Sequence, residues 1–280
     1  MADWLETPEP GIYPDVPAET YHRWDAMSAT WLAKLGRMSP KRWKKQRDNP
    51  PPSTPDQALG NATHVLAGEP FDFADRYAVA PDCDRRTKAG KATWAAFAEQ
   101  LDGRKALTSA QYHLASAMAK AVQSNESARK IISGAQAELS IVWIDEEAGV
   151  TCKARLDWWQ PPLIPDLKTT SVDVEDSAAI QRAIVNWRYY VQAAFYADGA
   201  RAALNCDKPE FVFVFVDKAD VPEAIVYPAG ASVIEGGRFA YHKALEVYKN
   251  CKSRNEWPGP ADVAEEMALP DWVMEQEINR

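Results

Sequence analysis

In the stretch KARLDWWQPPLIPDLKTT, residues 153–170, two carboxylates and one ammonium are spaced so that they can meet. Ahead of the two prolines, Cys152, Ala154, Leu156 and Trp158 alternate with Thr151, Lys153, Arg155 and Asp157. This is the period of two of a half-buried strand, and it puts Asp157 on the polar face at the strand's end. Beyond a tight Pro-Pro turn, Leu163–Thr169 is apolar except for Asp166 and Lys168, two apart and therefore on one face of a second strand. Carboxylates held close repel each other, and one of them takes up a proton unless a cation intervenes. Carboxylate oxygens with few sulfur or nitrogen partners suit a hard ion such as Mg²⁺ or Mn²⁺, which binds one or two carboxylates and keeps several waters. A lysine beside that ion can position an attacking hydroxide or screen charge building on a phosphate. Alone, an Asp-x-Lys strand more often marks a buried ion pair across a hairpin, so the surrounding elements have to decide.

Several elements can bring further groups to this hairpin. Residues 138–144, ELSIVWI, alternate as a strand opened by Glu138, and DEEAG turns it into the hairpin. Residues 174–204 are helical with a break near Asn186; in the second part Gln192 and Tyr196 are four apart and share a face, among alanines that allow tight packing. A helix over about 58–67 carries His64 four residues after Gly60, whose lack of a side chain permits close approach to the sheet. Taken alone, a histidine in such an Ala-rich helix is more often packed than ligating. Phe211, Phe213 and Phe215 alternate with Val212, Val214 and Val216, a strand covered on both faces, with Glu223–Tyr227 as its partner. Helices over 108–124 and 231–250 complete the set. The N-terminal part, 12–47, is a helical arm with cap residues at Ser28 and Ser39 and with Trp31, Leu32, Leu35 and Trp43 facing inward. A Pro-rich loop, 48–57, follows. A basic loop, CDRRTKAGK, leads into a helix with Trp94, Phe97 and Leu101 at helical spacing. These elements divide the chain into an arm and Pro-rich loop (1–57), a core (58–260) and an acidic tail (261–280).

At 280 residues, 46% hydrophobic and 26% charged, the chain has the composition of an ordinary globular protein with a sizeable core. No apolar run near the N-terminus resembles a signal peptide or a membrane span, so a cytoplasmic location with no membrane partner is expected. Cys83, Cys152, Cys206 and Cys251 are scattered, which suggests neither a zinc site nor a disulfide framework. The formal charge of −8 opposes nonspecific DNA binding, which depends on Lys and Arg replacing counterions. Net charge averages over patches, however. Lys41, Arg42, Lys44, Lys45 and Arg47 form one basic cluster, and Arg85, Arg86, Lys88 and Lys91 another, each equally consistent with a solvated helix face.

Asp157 followed by Asp166-Leu167-Lys168 resembles the PD-(D/E)XK nuclease signature, with Asp166 where Glu is more common. Gln192-Ala193-Ala194-Phe195-Tyr196 is similar to the Q-x-x-x-Y helix motif of RecB-type nucleases, and His64 and Glu138 stand where that group places a metal-binding histidine and an acidic residue. From Met27 to Gly259 the chain resembles the C-terminal nuclease domain of RecE-type exonucleases, phage-encoded relatives included. This resemblance implies an α/β PD-(D/E)XK fold, a central mixed β-sheet flanked by helices. It implies catalytic roles for Asp157, Asp166, Lys168, Gln192 and Glu138, and a metal site of His64, Asp157, Asp166 and the Leu167 carbonyl. Tyr196, Arg86 and Lys91, the last two in an R-x-x-x-G-K stretch similar to one in relatives, are expected on DNA, with Lys44 and Lys45 added from the first basic cluster. Expected cofactors are Mg²⁺, replaceable by Mn²⁺, as one ion or a pair, with no iron-sulfur cluster and no ATP. The implied activity is 5′ to 3′ digestion of linear double-stranded DNA by a homo-oligomeric ring in a bacterial host, beside a RecT-type single-strand annealing protein. A structure-specific or nicking endonuclease and a non-cutting nuclease-like scaffold are the alternatives.

Overall fold

A computed structural model describes residues 3–260, 268–269 and 271–278. The N-terminal part contributes β1 (Gly11–Tyr13), α1 (Ala18–Arg23), α2 (Ala29–Leu35) and α3 (Pro40–Asp48). Then come α4 (Pro55–Gly68), a 3₁₀ turn (Pro70–Asp72), α5 (Phe73–Arg76), β2 (Tyr77–Val79), α6 (Lys88–Glu99), β3 (Lys105–Leu107), α7 (Ser109–Ser124) and α8 (Glu126–Ile132). The central part is β4 (Gln136–Asp145), β5 (Val150–Trp159), β6 (Leu163–Thr170), α9 (Ser177–Trp187), α10 (Tyr189–Ala203), β7 (Glu210–Asp217) and β8 (Ala224–Pro228), followed by α11 (Ala231–Arg254) and α12 (Asp271–Ile278).

The strands form two three-stranded halves, β1-β4-β5 and β6-β7-β8, beside a small parallel pair of β2 and β3. Within the halves, β6 and β7 run parallel and the other pairs antiparallel. The halves meet at the Pro161–Pro162 turn, where a single bridge joins Gln160 to Leu163, and diverge beyond it. Helices cover both faces, so the expected mixed sheet is present but split along its middle.

Period-two side-chain alternation explains the two main cores. On β7, Phe211, Phe213 and Phe215 enter a cluster with α2, α10 and α11, while Val214 and Val216 enter one with α4, α7 and α8. The phase of β4 and β5 changes midway. Leu139 and Leu156 belong to the first cluster, whereas Ala137 packs against the second and Trp158 lies inside it. Simple alternation would have kept Trp158 beside Leu156. The ladder pairs Ala137 with Trp158 and Leu139 with Leu156 but skips the intervening Glu138 and Asp157, and Glu138 has φ +53°, a left-handed conformation rare for a residue with a side chain.

Several local expectations need correction. The Pro-rich stretch does not end in a loop at 57, because Pro55 occupies the first turn of α4, capped by reciprocal bonds between Thr54 and Gln57. The break in the 174–204 helix falls at Arg188 rather than Asn186, with Arg188 at φ +57°. Arg47 leaves the basic cluster: it is 6% exposed, bonded to Asp25 at 2.7 Å and placed over Trp43 and Tyr248. Only Gly90 is buried on α6, so Trp94 and Phe97 do not anchor that helix in a core. Part of the acidic tail, 261–267, lies outside the described residues. Among the described residues no helix is long and apolar enough to cross a membrane.

The N-terminal part is bound into the body. Met27, Leu32, Leu35 and Trp43 belong to the first core, and β1 pairs with β4. The buried Lys153 ammonium donates to the carbonyls of Tyr21, His22 and Trp24 at 2.7, 3.2 and 2.7 Å. Close helix packing depends on small residues: a Cβ on Gly199 would lie 2.7 Å from Trp143, and one on Gly237 would strike the carbonyl of Tyr190. Because the obstacle at 237 is backbone, Gly237→Ala must push α11 off α10, and a stability loss of about 1–3 kcal/mol is expected in chemical denaturation. A neutral result would show that the two helices can separate without cost.

Candidate active site

The site forms where the sheet halves separate. On β6 the amide and carbonyl of Leu167 lie on the side from which β5 has moved away, and Pro165, two residues earlier on that side, has no amide to lose. Buried backbone groups need partners. The Leu167 amide donates to Asp157 Oδ2 at 2.9 Å, and its carbonyl lies 2.9 Å from His64 Nε2. His64 Nδ1 in turn lies 3.2 Å from Asp157 Oδ2. His64 and Asp157 thus replace the missing strand partner.

His64 reaches this position because α4 packs on β6, where Gly60 faces Thr169. The imidazole stacks parallel to Trp158, interplanar angle 2° and centroids 6.1 Å apart, which gives the phase change in β5 a role. Asp166 and Lys168 project from the opposite face of β6, toward α10. The Lys168 ammonium pairs with Asp166 Oδ2, and Gln192 Nε2 donates to Asp166 Oδ1 at 2.6 Å. The Tyr189 ring, one turn before Gln192, lies 5.0 Å from Lys168 Nζ.

Side-chain exposure is 18% for Asp157, 1% for Asp166 and 12% for Lys168. Burial is the first cause pushing the Asp157 carboxyl up to about 7, and burial with the charge of Asp157 pushes Asp166 up to about 6. Burial also lowers His64, so its imidazole is neutral at pH 7. Burial alone would lower Lys168 as well, but Asp166 and Asp157 outweigh it and hold the lysine above its ordinary value, protonated. With Nε2–H donating to Leu167, Nδ1 of the neutral ring accepts, and the raised Asp157 carboxyl supplies the proton between them.

A cation fits this chemistry. Two carboxylates against one ammonium leave net negative charge in a buried place, and a divalent ion would remove the need for the extra proton. Among the described residues no three His, Cys, Asp or Glu side chains converge as a ready cage. The groups that would hold such an ion are the carboxylates of Asp157 and Asp166, the Leu167 carbonyl and the His64 imidazole.

The structure therefore brings His64, Asp157, Asp166, Leu167, Lys168 and Gln192 together. The other sequence candidates sit differently. Glu138 is directed to Arg155, with which it forms an ion pair, although its charge contributes to raising Asp157. Tyr196 is half-buried, with its ring packed on Phe211. Arg86, 90% exposed, pairs with Asp84, and Lys91 is exposed on α6. Lys44 pairs with Asp48 beside Trp257, and Lys45 is exposed on α3. No contact links these four cations to the site. Tyr189 and Trp158 were not singled out; Tyr189 lies three residues before Gln192, and Trp158 follows Asp157, spacings that could have pointed to both.

In fold this arrangement is similar to the crystal structure of a protein from Eubacterium rectale described provisionally as an exonuclease, with a TM-score of 0.62 and 13% identity over 94% of this chain and 98% of that one. No curated protein matches the sequence. The model of a PDDEXK-like domain of unknown function, DUF3799, matches residues 28–270, a span that includes every residue of the cluster built above. The chain belongs to this PDDEXK-like family and has the PD-(D/E)XK nuclease fold.

Proposed function

We propose that the protein is a divalent-metal-dependent deoxyribonuclease that digests linear double-stranded DNA from 5′ ends without ATP. The observation carrying this reading is the trio of buried Asp166 and half-buried Asp157 and Lys168, with Gln192 fixing Asp166, at the mouth of a split sheet. Its setting would be annealing-type recombination in a bacterial host, with a RecT-type annealing protein as partner and a homo-oligomeric ring as the working form. Support for exonuclease polarity, partner and ring comes from the sequence resemblance.

Phosphodiester hydrolysis is slow enough uncatalysed to require on the order of 20 kcal/mol of barrier reduction. Bound Mg²⁺, replaceable by Mn²⁺, would polarise the phosphate and furnish hydroxide at neutral pH. Asp157, Asp166, the Leu167 carbonyl and His64 would hold it. Lys168 acts as a fixed ammonium, since its neighbours keep it protonated; it orients the attacking oxygen and steadies charge on the phosphate as the 3′ oxygen leaves. Gln192 keeps Asp166 from rotating away, and the Tyr189 ring walls Lys168 from solvent.

The defining experiment is digestion of duplex DNA labelled at 5′ or 3′ ends, with closed circles alongside and no ATP. Prompt release of 5′ label with circles spared is expected. Cut circles would replace exonuclease by endonuclease, and absence of cutting with Mg²⁺ or Mn²⁺ would leave a binding scaffold. Lys168→Ala should lower kcat by about 10²–10³-fold or more with the melting temperature little changed; retained cleavage would remove Lys168 from the chemistry.

Metal uptake should depend on pH with a definite sign. A cation displaces protons from carboxyls raised to about 7 and about 6, so binding releases protons and weakens from pH 8 to pH 6. Calorimetry in buffers of different ionisation enthalpy checks this. In metal-free protein the folded state retains protons that the unfolded chain has released, so stability falls as pH rises from about 4 through 7, and saturating Mg²⁺ should abolish that slope. A pH dependence left unchanged by Asp157→Asn together with Asp166→Asn would show that the carboxyls are not raised.

A further inference from the structure

We infer that Trp187 is a stacking site for an unpaired nucleobase of the strand held at Lys168, an inference that rests on the nuclease reading above. On α9, Ile180 and Ala183 form the buried stripe, and Trp187 continues it at i+7 and i+4. That spacing would bury the indole, yet it is 69% exposed, against 2% for Ile180 and 8% for Ala183. The helix carries its last residue past the edge of the core.

The backbone under this ring is held from several directions. Arg188, in the left-handed conformation, closes α9 through its amide, which bonds to the carbonyls of Ile184 and Val185. Its guanidinium donates to Gly36 O at 2.9 Å, and lies so close to Gly36 that a Cβ there would come within 2.6 Å of Nη1. From the same end of α2, Arg37 donates to the carbonyls of Val185 and Asn186. A mobile loop would need no such bracing, and a core aromatic would not be left bare. The corner presents a rigid aromatic face to solvent.

Its position ties it to the chemistry. Tyr189, two residues on, lies against Lys168, so a strand with a phosphate at that lysine runs beside the corner. Arg37 and Arg188 bring positive charge suited to backbone phosphates, while the indole offers a π-face to a base. Base-on-aromatic stacking tolerates any sequence, as an enzyme that digests arbitrary DNA requires. The only other large apolar side chain exposed on α9 among the described residues is Val185, 61% exposed; two such residues braced by guanidiniums suit an anionic polymer better than a protein face.

The probe is a duplex with a single-stranded overhang carrying 2-aminopurine at one position at a time, bound in Ca²⁺ so that no cutting is needed. Quenching at one or two adjacent positions is expected with wild type, lost in Trp187→Ala and largely kept in Trp187→Phe. With Mg²⁺, Trp187→Ala should raise KM by about 5- to 100-fold with kcat nearly constant. An abasic nucleotide at the quenched position should raise the wild-type KM similarly and add nothing to the variant. Equal losses on intact and abasic DNA, or unchanged quenching in Trp187→Ala, would overturn the assignment. Wild type that binds and quenches but never cuts would remove the nuclease reading and leave the stacking site standing.

Discussion

Once β5 turns away from β6, the amide and carbonyl of Leu167 face a gap within the body of the protein, where an unpaired peptide group is costly. Asp157 and His64 fill the roles of acceptor and donor there. Much else is arranged to make that possible. The histidine requires α4 to lie against β6; the ring stacks on Trp158, which the change of phase in β5 puts behind it; and the change of phase coincides with a left-handed residue at Glu138. The same two side chains that repair the sheet are those whose lone pairs could face a cation. Structure and chemistry are therefore competing claims on one set of atoms.

Two helical layers converge on that gap from opposite sides. The α4 layer contributes His64, while α10 contributes Gln192 and Tyr189 to the other face of β6, next to Asp166 and Lys168. A single strand thus carries groups to both faces through its period of two, with the peptide of Leu167 between them. Electrostatics follows from this. Burial raises both carboxyls, and their combined charge keeps Lys168 protonated, so lysine here is an electrostatic group and not a proton acceptor.

Much of this was legible in the sequence, and the failures have local causes. The alternation on β7 gave both covered faces, and i,i+4 spacing put Gln192 and Tyr196 on one side of a helix. Asp166 and Lys168 share a face as two-residue spacing requires. The phase change at Glu138 was not legible, because nothing in an ordinary strand residue announces a positive φ. Arg47 was misplaced by counting charge, since a guanidinium on Trp43 and Tyr248 looks the same in sequence as a solvated one. Pro55 was taken as a breaker when its missing amide costs nothing in a first helical turn. The bareness of α6 and Trp187 was hidden for the opposite reason: helical spacing predicts a buried stripe whether or not a neighbour exists to cover it.

The fastening of Lys153 to the carbonyls after α1 also sets an order of events during synthesis. Tyr21 and Lys153 are 132 residues apart, and β1 must wait for β4. At about 5–20 residues per second, the early aromatic residues leave the ribosome on the order of ten seconds before the strands that will bury them. Through that interval Tyr21, Trp24 and Trp43 have no core to enter, so the nascent chain offers a long-lived apolar target to chaperones. The helix that closes over Trp43, α11, is made later still.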